Sequence, residues 1–365
     1  MSFRSAHPQR PATPLADAWM QQAGMIPDMG FLQSPPVQAL PPGWEAWTAL
    51  LAQPALRDPA ALLALPGPPM PSDPGEQEYA FLVCGLLAHA WVVLQPGIRY
   101  LPPALARPWA ALARLLDRPP MMAHGSYVLR NWRVLQPGSA DPDAFAPLHT
   151  FTGTRDEDWF ILVTVAVEAE GAEALSQALE ARLAPPEQAL PHLEALGHAV
   201  QRMTDALGRM EEACGPEYFY HHIRPYLTSF QDMEYQGAGG EPLRSYAGGS
   251  AAQSTLIQAL DALLGVQHPQ EAHRGFLLEM RRYMPPAHRQ LLLAMEALPG
   301  PGAAAAPAAR SRCIEALGAF RQAHLRIAAA YIFGPAARSG GSSLGTGGTH
   351  PMHFLKDLRR NTRPD

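Results

Sequence analysis

A chain of 365 residues is long enough for two domains, and with 47% apolar residues it can bury a large core. Its formal net charge of −5, without any cluster of Lys or Arg, speaks against a phosphate-neutralising, nucleic-acid-binding surface. Cys84, Cys214 and Cys313 stand far apart with no CxxC pair, which fits a reducing compartment better than a disulfide framework.

The first residues carry Arg4, His7 and Arg10 but no apolar run, so no signal peptide is expected. Residues 1–43 are rich in Pro and Gln without periodicity and read as an extended N-terminal arm. From Trp44 helical patterns dominate. Glu76–Leu94 reads as a helix that is apolar nearly all round. Its apolar run, Ala80–Leu94, is interrupted by His89 and is shorter than the roughly 18 residues of a bilayer span, so a buried core helix is expected. A cytoplasmic protein without a membrane partner is the corresponding expectation. Leu101–Leu116 and Met121–Leu135 read as two more helices. The breaker-rich stretch 136–143 marks a boundary between a small helical domain, 44–140, and a large helical domain, 141–365.

Beyond it, helical spacing predicts segments at 155–169, 171–183, 186–210 and 216–227, then at 251–264, 268–282 and 285–297. A Pro/Gly/Ala linker begins at Leu298, a helix covers Ser311–Phe333, and a Gly/Ser-rich stretch, 336–350, precedes a short closing helix. Clear strand alternation is absent, and the fold class is all-α.

No GxSxG, HExxH or GxxxxGK[ST] motif occurs, and Gly300 and Gly302 follow no strand that would make them a dinucleotide fingerprint. His221 and His222 are adjacent, about 100° apart on a helix, and poorly placed to share a metal. Chemistry would therefore fall to an organic cofactor. His324 lies on the apolar stripe Leu317, Phe320, Ile327, Tyr331 and points into the core. The pattern leaves two readings: a hydrogen-bonded core histidine, or an axial haem ligand that keeps the sixth iron position open for O2.

Arg224, with Tyr220 one turn before it and Thr228 one turn after, offers a guanidinium fork for a carboxylate or else a surface ion pair. The turn Gly248-Gly249-Ser250-Ala251 opens a helix, and it reads either as a close backbone approach to a ligand or as a tight turn capped by Ser250.

Five segments, in order, make the chain resemble the indoleamine 2,3-dioxygenase family: Asp158–Glu168, Tyr246–Ser254, Met280–Arg289, His324–Ile327 and Gly345–Thr349. Val128–Trp132 adds a weaker match. The resemblance implies a large helical haem-binding domain capped by a smaller helical one. It implies haem b as cofactor, O2 as co-substrate, a reductant still unidentified, and opening of the pyrrole ring of L-tryptophan to N-formylkynurenine. Position by position, His324 matches the proximal iron ligand and Arg224 the partner of the substrate carboxylate. Phe160 and Phe219 match the aromatics that hold the indole, and Thr346 matches a contact to the amino acid end. Gly249, Ser250 and Ala251 match the pocket lining beside a haem propionate. Asp261 and Arg321 match a pair that orients the iron ligand from behind.

Thr164 stands where the family often has Ser, and Tyr220 where it often has Phe. Tyr127 replaces a smaller residue of the distal wall, and His124 stands nearby where an aromatic is common. These departures bear on the choice of indole. They leave room for a substituted tryptophan or another indole in secondary metabolism as substrate. A non-catalytic O2-binding protein on the same scaffold is the remaining alternative.

Overall fold

The computed structural model describes residues 11–32, 35–53, 57–240, 243–299, 306–343 and Thr362. The elements in chain order begin with α1 (Pro14–Gln22), α2 (Glu45–Ala52), α3 (Pro59–Leu63), α4 (Pro74–Leu94), β1 (Tyr100–Leu101), α5 (Pro103–Leu115) and α6 (His124–Tyr127). The pair β2 (Arg133–Val134) and β3 (Phe145–Ala146) follows, then α7 (Arg155–Leu183), α8 (Ala189–Gly208), α9 (Pro216–Tyr218), β4 (Phe230–Tyr235) and β5 (Leu243–Tyr246). The last are α10 (Thr255–Leu264), α11 (Glu271–Arg281), α12 (Pro286–Glu296), α13 (Pro307–Ala328) and α14 (Gly334–Ser339). The fold is all-α, as the 3.6-residue patterning requires.

Helix α4 starts two residues before its predicted position because Asp73 accepts the Gly75 and Glu76 N–H groups and Pro74 fits the first turn. It is long and apolar enough to cross a bilayer by length and composition, but most of it is buried inside the fold. It anchors an apolar core with Trp44, Trp47, Trp91, Trp109 and Trp132, all almost fully buried. A second core lies among α7, α8, α10, α12 and α13. Helix α7 is shared: Ile161, Leu162 and Val163 belong to the first core, Val167, Leu175 and Leu179 to the second.

Several segments differ from their sequence-based expectation. The predicted break at Gly171 does not occur, and α7 runs on as one helix of 29 residues. The glycine serves packing instead: a Cβ there would lie 2.0 Å from a methyl of Leu256 on α10. The predicted helix 121–135 shrinks to the single turn α6. Beyond it Asn131 exchanges hydrogen bonds with the backbone of His149 (2.8 and 3.0 Å), and β2 pairs antiparallel with β3, so long-range bonds replace helical ones. Part of the expected extended arm is ordered. Helix α1 buries Ala16 and Met20 against α7, and the Ala16 N–H donates to Glu180 at 2.6 Å. Finally, a small sheet of order β1-β4-β5 carries no period-two signature. A register shift between Phe230 and Met233, with Asp232 at a φ of 48°, puts Phe230, Met233 and Tyr235 inward and breaks the alternation.

Candidate active site

The predicted helix 216–227 does not stay α-helical. After α9 it widens into a π turn, Phe219–Ile223, and tightens into a 3-10 turn, Arg224–Leu227. Helix α13 widens likewise into a π turn at Ala329–Phe333. Such turns re-aim side chains out of the α-helical repeat. The two turns meet edge to face, with the Phe219 and Tyr331 ring centroids 5.7 Å apart. They close one side of a cavity between the two cores, over about 290 Å3 of which a water-sized sphere can be centred.

Most of the residues singled out in the sequence line this one cavity: Tyr127, Phe160, Thr164, Phe219, Arg224, Gly249, Ser250, Ala251, Asp261, Arg321 and His324. One wall is aromatic. Phe160 and Phe219 lie 4.8 Å apart at 42°, and Tyr127 is 6.4 Å from Phe160. Its hydroxyls are committed elsewhere. Tyr127 donates to the buried carboxylate of Glu157 at 2.6 Å, Thr164 to the Phe160 carbonyl at 2.8 Å, and Tyr331 to the Cys214 carbonyl at 2.6 Å.

Arg224 is buried at the edge of this wall, its guanidinium carbon 5.1 Å above the Tyr220 ring. Tyr220 itself is not part of the cavity wall. It supports Arg224 from behind and donates its hydroxyl to the Ser342 carbonyl at 2.9 Å. Thr228 does not flank Arg224 as expected. The helix ends at Leu227, the next residue is extended, and the Thr228 hydroxyl turns back to the Pro225 carbonyl at 2.9 Å. Thr346 lies outside the described residues.

The Gly248–Ala251 turn combines both readings of its sequence. Gly248 touches the Leu227–Ser229 backbone so closely that a Cβ would sit 2.1 Å from the Leu227 oxygen, and the Gly249 N–H donates to that same oxygen at 3.1 Å. Ser250 caps the following turn, its hydroxyl accepting from the Ala252 N–H at 3.3 Å while its own N–H donates to Gln253. The turn is thus fastened to the segment carrying Arg224, and three of its residues face the cavity.

The opposite wall is ionic. Asp261 on α10 accepts from Arg321 on α13 at 2.5 Å and from His268 at 2.9 Å. Burial pushes the Asp261 carboxyl up, but Arg321 and His268 outweigh it and hold it below its ordinary value. Arg321 also bonds Thr362. One turn on from Arg321, His324 faces the cavity half-buried, and no hydrogen bond engages its ring among the described residues. Burial and then Arg321 lower its pKa, which keeps the imidazole neutral and its lone pair available.

A family model described as indoleamine 2,3-dioxygenase matches residues 20–365. The chain is 33% identical to indoleamine 2,3-dioxygenase 2 of Mus musculus, over 92% of each protein. It is 32% identical to indoleamine 2,3-dioxygenase of Saccharomyces cerevisiae, over 80% of this chain and 78% of the relative. It is 29% identical to indoleamine 2,3-dioxygenase 1 of Mus musculus, over 92% of each. This chain belongs to the indoleamine 2,3-dioxygenase family.

The residues present fit the haem of that family. A core histidine would have its ring nitrogens paired, whereas His324 presents to a largely apolar cavity an imidazole that no hydrogen bond engages among the described residues. Behind it, Asp261 Oδ1 and Arg321 Nε are buried without a partner among the described residues, polar capacity that the protein alone leaves unused.

Two functional groupings went unnoticed in the sequence. His268 completes the Asp261–Arg321 pair; it stands between the left-handed cap at Gly265 and the start of α11 at Glu271, although spacing had placed it at the head of a helix, 268–282. Glu168 faces the cavity and bonds His124 at 2.8 Å. Its signal was present: a carboxylate two turns after Phe160 and one after Thr164, at the end of the apolar run 159–167.

Proposed function

We propose that this chain catalyses the haem-dependent addition of both atoms of O2 across the indole 2,3 bond of L-tryptophan, giving N-formylkynurenine. The observation that carries the reading is the pairing, in one cavity, of an unengaged imidazole on one wall with an aromatic slot and a buried guanidinium on the other. Bound haem would supply O2 activation, and His324 would be the residue that holds its iron. Asp261, Arg321 and His268 fix the charge behind that ligand.

Phe160 and Phe219 grip the flat indole, and Arg224 takes the carboxylate through its planar fork. The Gly249–Ala251 turn sets the depth of the pocket at the haem edge. Fixing both ends of the substrate removes most of the entropic cost of alignment. The committed hydroxyls of Tyr127, Thr164 and Tyr331 keep the slot free of protein proton donors, so the side chains exclude water rather than carry protons. The reductant is an intracellular one and the site of action the cytoplasm, a reading supported by three buried cysteine thiols.

The test is turnover by the reduced, haem-loaded protein with O2 and tryptophan, followed by the absorbance of N-formylkynurenine. Product formation is expected. Normal haem and O2 binding with no product from tryptophan or any other indole would overturn the reading.

A further inference from the structure

We propose that His89 of α4, which does not line the cavity, is a positioning residue for the substrate carboxylate: it holds the turn that carries Arg224 where the guanidinium can meet its anion. The inference rests on the reading of Arg224 as the carboxylate clamp and adds the group that sets the clamp in place.

In the sequence His89 interrupts the apolar run Ala80–Leu94, and in the fold it is 1% exposed. A polar ring buried in such a helix is costly unless its nitrogens are paired. Both are. Nδ1 lies 2.6 Å from the Tyr226 carbonyl oxygen, which can only accept, and Nε2 lies 3.3 Å from the Met122 backbone nitrogen, whose N–H can only donate. The two partners fix the tautomer, with the proton on Nδ1. Burial pushes the pKa of the ring down to about 4, so this neutral form is the one present at neutral pH. Phe230 stacks on the imidazole at 4.5 Å and Trp109 meets it edge to face at 5.9 Å, which fixes the ring plane.

The bond to Tyr226 falls where the helix supplies none. The 3-10 turn Arg224–Leu227 ends its helix, so its last carbonyls lack helical donors. Each finds a donor elsewhere. The Pro225 carbonyl accepts the Thr228 hydroxyl at 2.9 Å, the Leu227 carbonyl accepts the Gly249 N–H at 3.1 Å, and the Tyr226 carbonyl accepts from His89. The first bond is internal to the segment, and the second ties it to another loop. The third ties it to α4, buried without a break from Tyr79 to Trp91. The Tyr226 ring is held as well, stacked on Phe151 at 4.5 Å and 14°. Arg224 stands two residues before the bonded carbonyl, and in so tight a turn its backbone follows any shift of Tyr226. The same imidazole holds the backbone of Met122, which lines the cavity. Misplacing a positioning group by about 1 Å can cost as much as a hundredfold in rate, so a bond at this distance from the substrate is felt there.

The experiment uses the haem-loaded full chain and two ligands with the same ring and amine, tryptophan and tryptamine, of which the second lacks the carboxylate. Dissociation constants come from the shift of the haem absorption band, and kcat/KM from product formation. The readout is the preference for tryptophan over tryptamine, which a general loosening of the core lowers for neither ligand alone. Two substitutions separate the two bonds of His89. His89→Asn puts an amide nitrogen near the place of Nδ1, can still donate to Tyr226, and should keep most of the preference. His89→Gln puts its amide near the place of Nε2, serves Met122 and leaves the Tyr226 carbonyl without its donor, and should lower the preference about tenfold. With Arg224→Ala already present, His89→Gln should change the preference no further. A preference untouched by His89→Gln, lowered equally by both substitutions, or lowered by His89→Gln in the absence of Arg224 would overturn the positioning role and leave the clamp standing. An unaltered protein that does not distinguish the two ligands removes the clamp and the proposal together. One that distinguishes them in binding but turns over no indole removes the dioxygenase reading, and the binding constants of the variants still decide the role of His89.

Discussion

Asp261 on α10 and Arg321 on α13 face the cavity and are tied to one another, whereas the cavity-facing hydroxyls of Tyr127, Thr164 and Tyr331 are tied to groups outside it. Arg321, Asp261 and His268 make an ionic set beside His324. Across the cavity Tyr127, Thr164 and Tyr331 spend their hydroxyls on Glu157 and on backbone carbonyls, so that what faces inward is ring and methyl. The first arrangement would fix charge beside the iron that His324 is proposed to hold, where an unbalanced group would be felt through low-dielectric surroundings. The second offers a flat, dry slot in which an apolar ring competes with no protein hydrogen bond. The cavity thus separates the two tasks by wall, and the ionic wall should answer to cofactor measurements while the aromatic wall answers to substrate measurements.

The largest expected effect is at His324. His324→Ala should abolish the Soret band of the purified protein, because the proposed iron ligand is removed. Full haem content with unchanged ligation would break the assignment of that wall. Arg224→Ala should leave haem loading and O2 binding intact and lower kcat/KM for tryptophan by about a hundredfold, the worth of a charge-assisted bond of roughly 2–3 kcal/mol. An unchanged KM would remove the carboxylate clamp. Asp261→Asn should weaken haem binding about tenfold or more. It also leaves Arg321 uncompensated beside His324, so the ferric–ferrous potential should rise, since added positive charge favours the less positive iron. A spectroelectrochemical titration that finds the potential unmoved would reduce Asp261 to a packing role.

How far these walls can be read from sequence depends on what holds each residue. Helical spacing found α4, α5, α8 and α10–α13 because their apolar faces repeat with the helix, and it put His324 on the inner stripe of α13. It could not choose between a core histidine and a ligand, because the choice depends on whether a partner meets the ring, a tertiary fact. The resemblance to the family brought Phe160, Phe219, Arg224 and the Gly249–Ala251 turn to one place before any coordinates did. Spacing failed at Thr228 and at 121–135, where π and 3-10 turns or long-range hydrogen bonds from Asn131 reset the phase of the helix. Tyr220 fell on the right face for Arg224 but does not line the cavity. His268 was read as the first residue of a helix that in fact begins at Glu271, and Glu168 was visible only as a charge closing an apolar run.

Thr164 gives the smallest expected effect and the sharpest test of the aromatic wall. Its position one turn after Phe160 puts it on the cavity wall beside the proposed indole slot, where a hydroxyl invites a role in proton transfer. Its proton, however, is already directed at the Phe160 carbonyl, an arrangement in which the side chain bonds back along its own helix. Thr164→Ala removes that bond without stranding the carbonyl, which keeps its helical N–H partner, and it leaves the slot apolar. Turnover with tryptophan should therefore stay within about threefold of the unaltered protein, with haem content the same. A hundredfold loss of kcat at constant KM would mean that the hydroxyl rotates into the slot when substrate binds, and the contrast between a dry wall and an ionic one would then hold only for the empty cavity.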